Sequence, residues 1–455
     1  MEASKSQTLA LGLCGGFAAG CIFMRLRVSR KPTSPIRKAA PIRESTIRLM
    51  TRVAMEHGAV NLSQGFPNEA PPAIMALAAA GALLAGETEA TATAMALKLA
   101  PFAAKAKSKD TLNQYSFPYG APVLRNAIAK YYAKRYPTIE CDAERNVTVV
   151  MGATEGFACA VRALTKPGDA VAFFQPFHEL YPSQVAIFHL EPRAVTLSAS
   201  DDRWTFDVNE LEAALNGAAL FLFNDPHNPT GHVFTAGEKF TIARLCAKHN
   251  VVCVTDEIYE HIHYGPKHES LAQLPAIREN VVVVHSISKT AKATGWRIGW
   301  VVASEERTKL IRGIHDQLVA CCPTPLQFGA AALLQDHAGD GADKTLAAIS
   351  VEYGEKRDRL ATALKKAGFD LGPAPQGAYY IFAGYRGVSA LKGKGPREAA
   401  MYMTKTVKVA CVPGDNFYLE PQKSSLDHGQ KYLRFAFVRS LDVIDAAANN
   451  LAKLL

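Results

Sequence analysis

Cysteine is sparse and unpatterned in this chain, nine residues in 455 with no CxxC spacing anywhere. That excludes a zinc ribbon and a disulfide framework, and an odd, dispersed count suits a reducing compartment. The adjacent pair Cys321 and Cys322 reads as packing rather than redox chemistry. Positive charge is also scarce where nucleic-acid binding would need it. Residues 1–43 hold eight basic residues against one acid, Glu2, so seven of the nine net positive charges lie there and the rest of the chain keeps two. No polyanion-binding stripe is left. No uncharged run reaches the roughly 20 residues a spanning helix needs, and the apolar one near the start, Ser6 to Met24, is marginal against it. What remains is ordinary for a globular enzyme: 48% hydrophobic and 20% charged residues, in a chain long enough for one large core or two.

The apolar run and the basic, acid-poor RLRVSRKPTSPIRKAAPIR behind it form a leader, residues 1–43, that stands outside the fold. Three readings compete: an organellar transit sequence, a signal peptide and a membrane anchor. The arginine, serine and proline content favours an organelle, mitochondrion or plastid, over a membrane-anchored or cytoplasmic placement. Any membrane contact is confined to this segment.

Past the leader, Asn61 to Pro72 (NLSQGFPNEAPP) is an arm punctuated by Gly and Pro, and Ala73 to Ala106 is an alanine-rich helix former. Short β-rich runs then alternate with amphipathic stretches. The runs are Val147 to Val150, Ala170 to Phe174, Ala219 to Phe223, Val251 to Thr255 and Val281 to Val284. The expected helices are Gly156 to Leu164, Asp207 to Leu215, Thr235 to Lys248 and Glu305 to Val319. This alternation predicts an α/β fold, a mainly parallel sheet with helices on both faces. From Thr345 the rhythm changes: a long charged helix to Ala367, strands at Ala378 to Phe382 and Tyr432 to Val438, and a terminal helix predict a smaller α+β domain.

Chemistry concentrates where strands end. Val281 to Val284 delivers Lys289 to a polar turn, with Ser286, Ser288, Thr290 and Arg297 around it, at the sheet edge where α/β folds bind ligands. MGATEG, Met151 to Gly156, opens a helix with small residues that leave backbone N–H groups free for a phosphate. NDPHNPTG, Asn224 to Gly231, is a rigid turn that offers the Asn228 amide. In TDEIYEHI, Asp256 stands at a strand end and needs a cation, either Lys289 or a cationic ligand, unless it caps a helix. Tyr259 shares its face. Arg434 interrupts the aromatic strand YLRFAFV, where its fork suits a carboxylate or a structural ion pair.

These stretches, with QGFP at Gln64 to Pro67 and YSFPYGAP at Tyr115 to Pro122, resemble in residues and order the fold-type I pyridoxal-phosphate aminotransferases of class I/II. The most similar subgroup is that of the kynurenine, glutamine and methionine aminotransferases, and the resemblance runs from about Arg43 to the C-terminus. It implies that Lys289 forms the Schiff base with pyridoxal 5'-phosphate and moves the proton. Asp256 would pair with the ring nitrogen, Asn228 and Tyr259 with the phenolic oxygen, and the N–H groups of Ala153 and Thr154 with Ser286 and Arg297 would hold the phosphate. Tyr115 would reach that phosphate from a second subunit, which implies a homodimer with shared sites. Arg434, with the Gly65 backbone and Asn228, would bind the substrate carboxylate. No metal is implied.

The implied domains are an N-terminal arm, 44–72, joining the small domain; a large cofactor-binding domain, 73–325; and a small domain, 326–455. The implied reaction is transamination between an amino acid (methionine, glutamine, aromatic or kynurenine-like) and a 2-oxo acid. Two alternatives are β-elimination from cysteine conjugates at the same residues and a non-catalytic effector-sensing module. Three features depart from the pattern. His178 stands where an aromatic ring usually stacks on the cofactor, and an imidazole can titrate as well as stack. ACCPT, Ala320 to Thr324, lacks the Phe-His that precedes CPT in kynurenine-type enzymes. Residues 80–109 look inserted near the substrate mouth.

Overall fold

The computed structural model describes residues 46–63, 65, 74, 75, 78, 116–200, 202–337 and 342–455. Among them no helix is long and apolar enough to cross a membrane. The leader, the insertion at 80–109 and most of the helix expected over 73–106 lie outside the described residues.

In chain order the strands are β1 (Val60–Asn61), β2 (Val147–Val150), β3 (Ala170–Gln175), β4 (Glu191–Ala199), β5 (Trp204–Phe206), β6 (Ala218–Asn224), β7 (Val252–Asp256), β8 (Val281–Ser286), β9 (Gly299–Val302), β10 (Tyr380–Gly384), β11 (Val409–Ala410), β12 (Val412–Pro413) and β13 (Tyr432–Ala436). Eight of them form one sheet in the order β2-β9-β8-β7-β6-β3-β4-β5. Strands β4, β3, β6, β7 and β8 run parallel to one another, while β9 and the edge strand β5 run antiparallel to their neighbours.

The four valines of β8 show why this sheet is covered on both faces. Val281 and Val283 pack in one apolar layer with Ile287 and Val302, and Val282 and Val284 pack in the other with Phe157 and Val254. Side chains alternate along a strand, so an unbroken β-branched run has a buried place for every residue. Each contributes roughly 1.5–3 kcal/mol of burial.

The helices expected to begin at Asp207 and Thr235 begin one residue later, because those two residues are caps. The Asp207 carboxylate accepts from the N–H groups of Asn209 and Glu210, and Thr235 forms a capping box with Glu238. Glu305–Val319 is a helix over the expected residues. Strands β4, β5 and β9 were not expected. β4 opens on the exposed Glu191 and Pro192 and buries only Val195 to Leu197 of its nine residues, and β5 has only three residues, so neither shows a buried run from end to end.

The C-terminal part holds a second sheet, β10-β13-β12, antiparallel throughout, under the helices Ala342–Lys366 and Leu441–Leu451. Strand β1 pairs in parallel with β11, so the chain just after the helix Thr46–Glu56 is joined to this part rather than to the large sheet.

Candidate active site

Register brings the predicted residues together. Asn224 at the end of β6 pairs with Asp256 at the end of β7, and Asp256 pairs with Val284 of β8, two residues before the strand gives way to the helical turn Ile287–Thr290 carrying Lys289. On the far side, Ser286 and Val150 both pair with Gly299 of β9. The carboxyl ends of β2, β6, β7 and β8 therefore line one edge, the place where α/β sheets hold ligands.

Lys289 is half-buried, and its Nζ donates to the Gly65 carbonyl at 3.0 Å. The Tyr379 hydroxyl donates to the same oxygen at 2.8 Å. Burial lowers the lysine pKa to about 8; the cations Arg297 and Arg434 add to the fall and Asp256 partly opposes it. Gly65 must be glycine because of close approach: a Cβ there would lie 2.1 Å from the Tyr380 hydroxyl.

Asp256 is buried and is not a helix cap. Its Oδ2 accepts from the Tyr181 hydroxyl at 2.9 Å, while Oδ1 has no partner among the described residues. Burial raises its pKa to about 6, against the pull of Tyr181, the Ile258 N–H, His285 and Lys289. Asn228 offers the complementary orphan: its Oδ1 accepts from Arg434 Nη1 at 2.9 Å, and its buried Nδ2 has no partner among the described residues. A buried acceptor and a buried donor left open are costly unless a ligand completes them. Tyr259 is buried, with its hydroxyl 3.2 Å from that of Tyr380.

Among the described residues Arg434 makes no ion pair. Its Nη groups reach only neutral acceptors, Asn228 Oδ1 and the Ser63 carbonyl at 3.0 Å, Nε is unpartnered, and the guanidinium lies 4.3 Å from the Tyr380 ring centroid and 4.9 Å from that of Phe417. It is a buried cation held ready for an anion.

At the end of β2 the helix Gly152–Leu164 begins four residues earlier than expected, so the N–H groups of Ala153 and Thr154 fall in its first turn, which has no intrahelical acceptors. Arg297 crosses this turn and donates from Nη2 to the Met151 carbonyl at 3.2 Å. Gly152 permits it, with φ +72° and an imagined Cβ only 2.3 Å from Arg297 Nη2. Ser286 caps the turn of Lys289, accepting from the Ser288 N–H at 2.9 Å and hydrogen-bonded to the Ser288 hydroxyl at 2.6 Å.

One expectation needs correction. His178 does not titrate near neutrality, because burial, with Arg434 and Lys289 nearby, pushes its pKa down to about 3. Its Nδ1 accepts from the Leu180 N–H at 3.2 Å. Tyr115 lies outside the described residues, and of QGFP only Gly65 is described. Tyr181, Tyr379 and Tyr380 went unread. Tyr181 follows His178 by three residues, a helical spacing that was available as a signal; the Tyr379–Tyr380 pair carried none that separates it from core.

Sheet and site together define an α/β enzyme whose working group is a lysine amine beside an unpaired buried carboxylate, a carboxylate-ready arginine and a helix start open to a phosphate. The chain belongs to the aminotransferase class I and II family, which matches residues 74–451. It is 30% identical over 416 residues to kynurenine–oxoglutarate transaminase 3 of Homo sapiens, covering 87% of this chain and 85% of that one. It is 28% identical over 429 residues to methionine aminotransferase of Escherichia coli (strain K12), covering 94% and 100%. The solved N-succinyldiaminopimelate aminotransferase from Mycobacterium tuberculosis superposes with TM-score 0.80 at 29% identity, covering 91% of this chain and all of that one (100%). The protein is thus a pyridoxal-phosphate-dependent transaminase of fold type I, acting between amino acids and 2-oxo acids.

The orphaned Asp256 Oδ1 and Asn228 Nδ2 fit the cofactor's cationic ring nitrogen and phenolic oxygen. Gly152→Ala should weaken pyridoxal phosphate binding at least about tenfold, since a left-handed alanine is strained and its Cβ displaces Arg297. Equilibrium titration of the cofactor-free protein checks this; unchanged affinity would remove Arg297 from the phosphate site.

Proposed function

We propose that this transaminase takes an apolar or aromatic L-amino acid, with methionine and kynurenine the first to test, as donor to a 2-oxo acid, at a site built from Lys289, Asp256, Asn228, Tyr259 and Arg434. The observation that carries the reading is the pair of unpartnered buried atoms, Asp256 Oδ1 and Asn228 Nδ2, beside an amine of lowered basicity. When bound, the cofactor supplies an electron sink for the substrate's α-carbon. The chain's own residues do the rest. Arg434 binds the α-carboxylate common to amino acid and oxo acid, and Asn228 orients that guanidinium. Lys289 takes the α-proton and returns it, a task suited to a base poised near neutrality. Tyr259, kept protonated by burial, donates a hydrogen bond to the phenolic oxygen. Ala153, Thr154, Ser286 and Arg297 would hold the phosphate, and His178 would stand against the ring.

The substrate class is supported by the aromatic walls on Arg434 and by the kynurenine and methionine activities of the relatives. A homodimer in which Tyr115 enters the partner's site, and import into an organelle directed by the basic leader, belong to the same proposal. A panel of amino donors against several 2-oxo acids, on protein lacking residues 1–43, tests it. Methionine and aromatic donors should exceed aspartate and glutamate by at least about tenfold in kcat/KM, since one well-matched pocket contact is worth about 1–3 kcal/mol; a preference for acidic donors would overturn the substrate class.

A further inference from the structure

We propose that Tyr181 is a positioning residue of the reaction: its hydroxyl claims Oδ2 of Asp256 and so leaves Oδ1 as the one carboxylate oxygen offered to the cofactor's ring nitrogen. The inference rests on the reading of Asp256 given above. A carboxylate has two nearly equivalent oxygens, and a cation at a buried carboxylate can choose either unless one is already engaged. Here the choice is made before the cofactor arrives.

The geometry is specific. Tyr181 lies in the helix Leu180–Ile187, directly after β3, and its ring is buried against Phe157 and Phe173, with centroids 5.5 and 6.4 Å away. From there the hydroxyl reaches Oδ2 across β6 to the end of β7 at 2.9 Å. Burial, with Asp256 itself adjacent, holds the phenol pKa well above its ordinary value, so the group remains a donor. The other groups facing Asp256 are the Ile258 N–H on its own turn, His285 at the end of β8, Lys289 beyond it, and Tyr259. Of the side chains among these, Tyr181 is the one that hydrogen-bonds the carboxylate. It therefore does two things at once: it orients the carboxyl and favours its ionised form in a place where burial favours the neutral one.

Tyr181→Phe keeps the ring packing and removes only the donor. A hydrogen bond to a charged group shifts its ionisation roughly tenfold to a hundredfold, about one to two pH units. Cofactor binding that needs an ionised Asp256 weakens as pH falls through the carboxyl's own pKa, about 6 in the cofactor-free protein. In the variant that weakening should begin about one to two pH units higher.

The experiment measures the affinity of cofactor-free wild type, Tyr181→Phe and Asp256→Asn for pyridoxal phosphate from pH 5 to 9. The Asp256→Asn profile is subtracted to remove titration of the phosphate and of Lys289. An upward displacement of the acid limb in Tyr181→Phe, with that limb absent in Asp256→Asn, is the expected result. A limb lost in Asp256→Asn but unmoved in Tyr181→Phe overturns the role of Tyr181 and leaves that of Asp256 intact. A limb unchanged in Asp256→Asn overturns both. A merely structural role for Tyr181 would lower affinity equally at every pH, which also counts against the proposal.

Discussion

Lys289→Ala loses transamination by at least about four orders of magnitude, because one side chain supplies both the covalent attachment of the cofactor and the acid–base group. The loss falls on chemistry rather than folding. Lys289 is half-buried, its amine hydrogen-bonds only the Gly65 carbonyl among the described residues, and the Tyr379 hydroxyl already satisfies that oxygen. The cofactor-free protein even gains stability. A lysine whose pKa is lowered from 10.5 to about 8 binds its proton less tightly when folded, so its charge opposes folding below pH 8 and the cost disappears as pH rises toward 10.5. Steady-state turnover, thermal melts at pH 7 and pH 10, and the colour of the purified protein check the three parts. Turnover near that of the wild type in Lys289→Ala would sink the assignment of the working amine.

Asp256→Asn separates stability from function in opposite directions. In the folded protein burial raises the carboxyl pKa from 3.8 to about 6. Its neutral form is the one the fold prefers, so the stabilising contribution is complete below pH 3.8 and is lost as pH rises through 6. At neutral pH the buried charge costs about 3 kcal/mol, which asparagine removes. The variant's cofactor-free form should melt several degrees higher at pH 7.5 and show little gain near pH 4. With pyridoxal phosphate bound the order reverses. A pair of unit charges about 4 Å apart is worth roughly 4 kcal/mol at an effective dielectric of about 20, so turnover falls on the order of a thousandfold. A variant no more stable than wild type when empty would show that Asp256 is not a strained, waiting charge. Undiminished turnover would remove it as the ring partner.

Most elements that position the site were readable where every residue of a run had a reason to be buried; β9, buried along its length but opening on Gly299 directly after the polar turn, was the exception. Val281 to Val284 read as a covered strand and Ala170 to Phe174 as a β-rich run, and both are buried along their length. β4 was not readable because its first residues face solvent and its pattern is mixed. The helix Gly152–Leu164 started earlier than expected because its first turn is made of small residues that carry no amphipathic signal; their use is to expose N–H groups and to admit Arg297. His178 was readable as a site residue but not as a neutral one. Its protonation follows from burial beside Arg434 and Lys289, residues far away in sequence.

By itself the sequence determined the alternation of strand and helix, the lysine at a strand end, and the aspartate, asparagine and arginine that accompany it. Those follow from local pattern: β-branched runs, turn residues and polar groups too expensive to bury idly. Tertiary structure decided which atoms of these residues are spoken for. Tyr181 takes one oxygen of Asp256, Arg434 takes the oxygen of Asn228, and Gly65 receives the amine of Lys289, so that one acceptor and one donor remain open on either side of the site. Hydrogen-bond partners across adjacent strands are set by register and packing between segments distant in the chain, and no local pattern encodes which partner is left over.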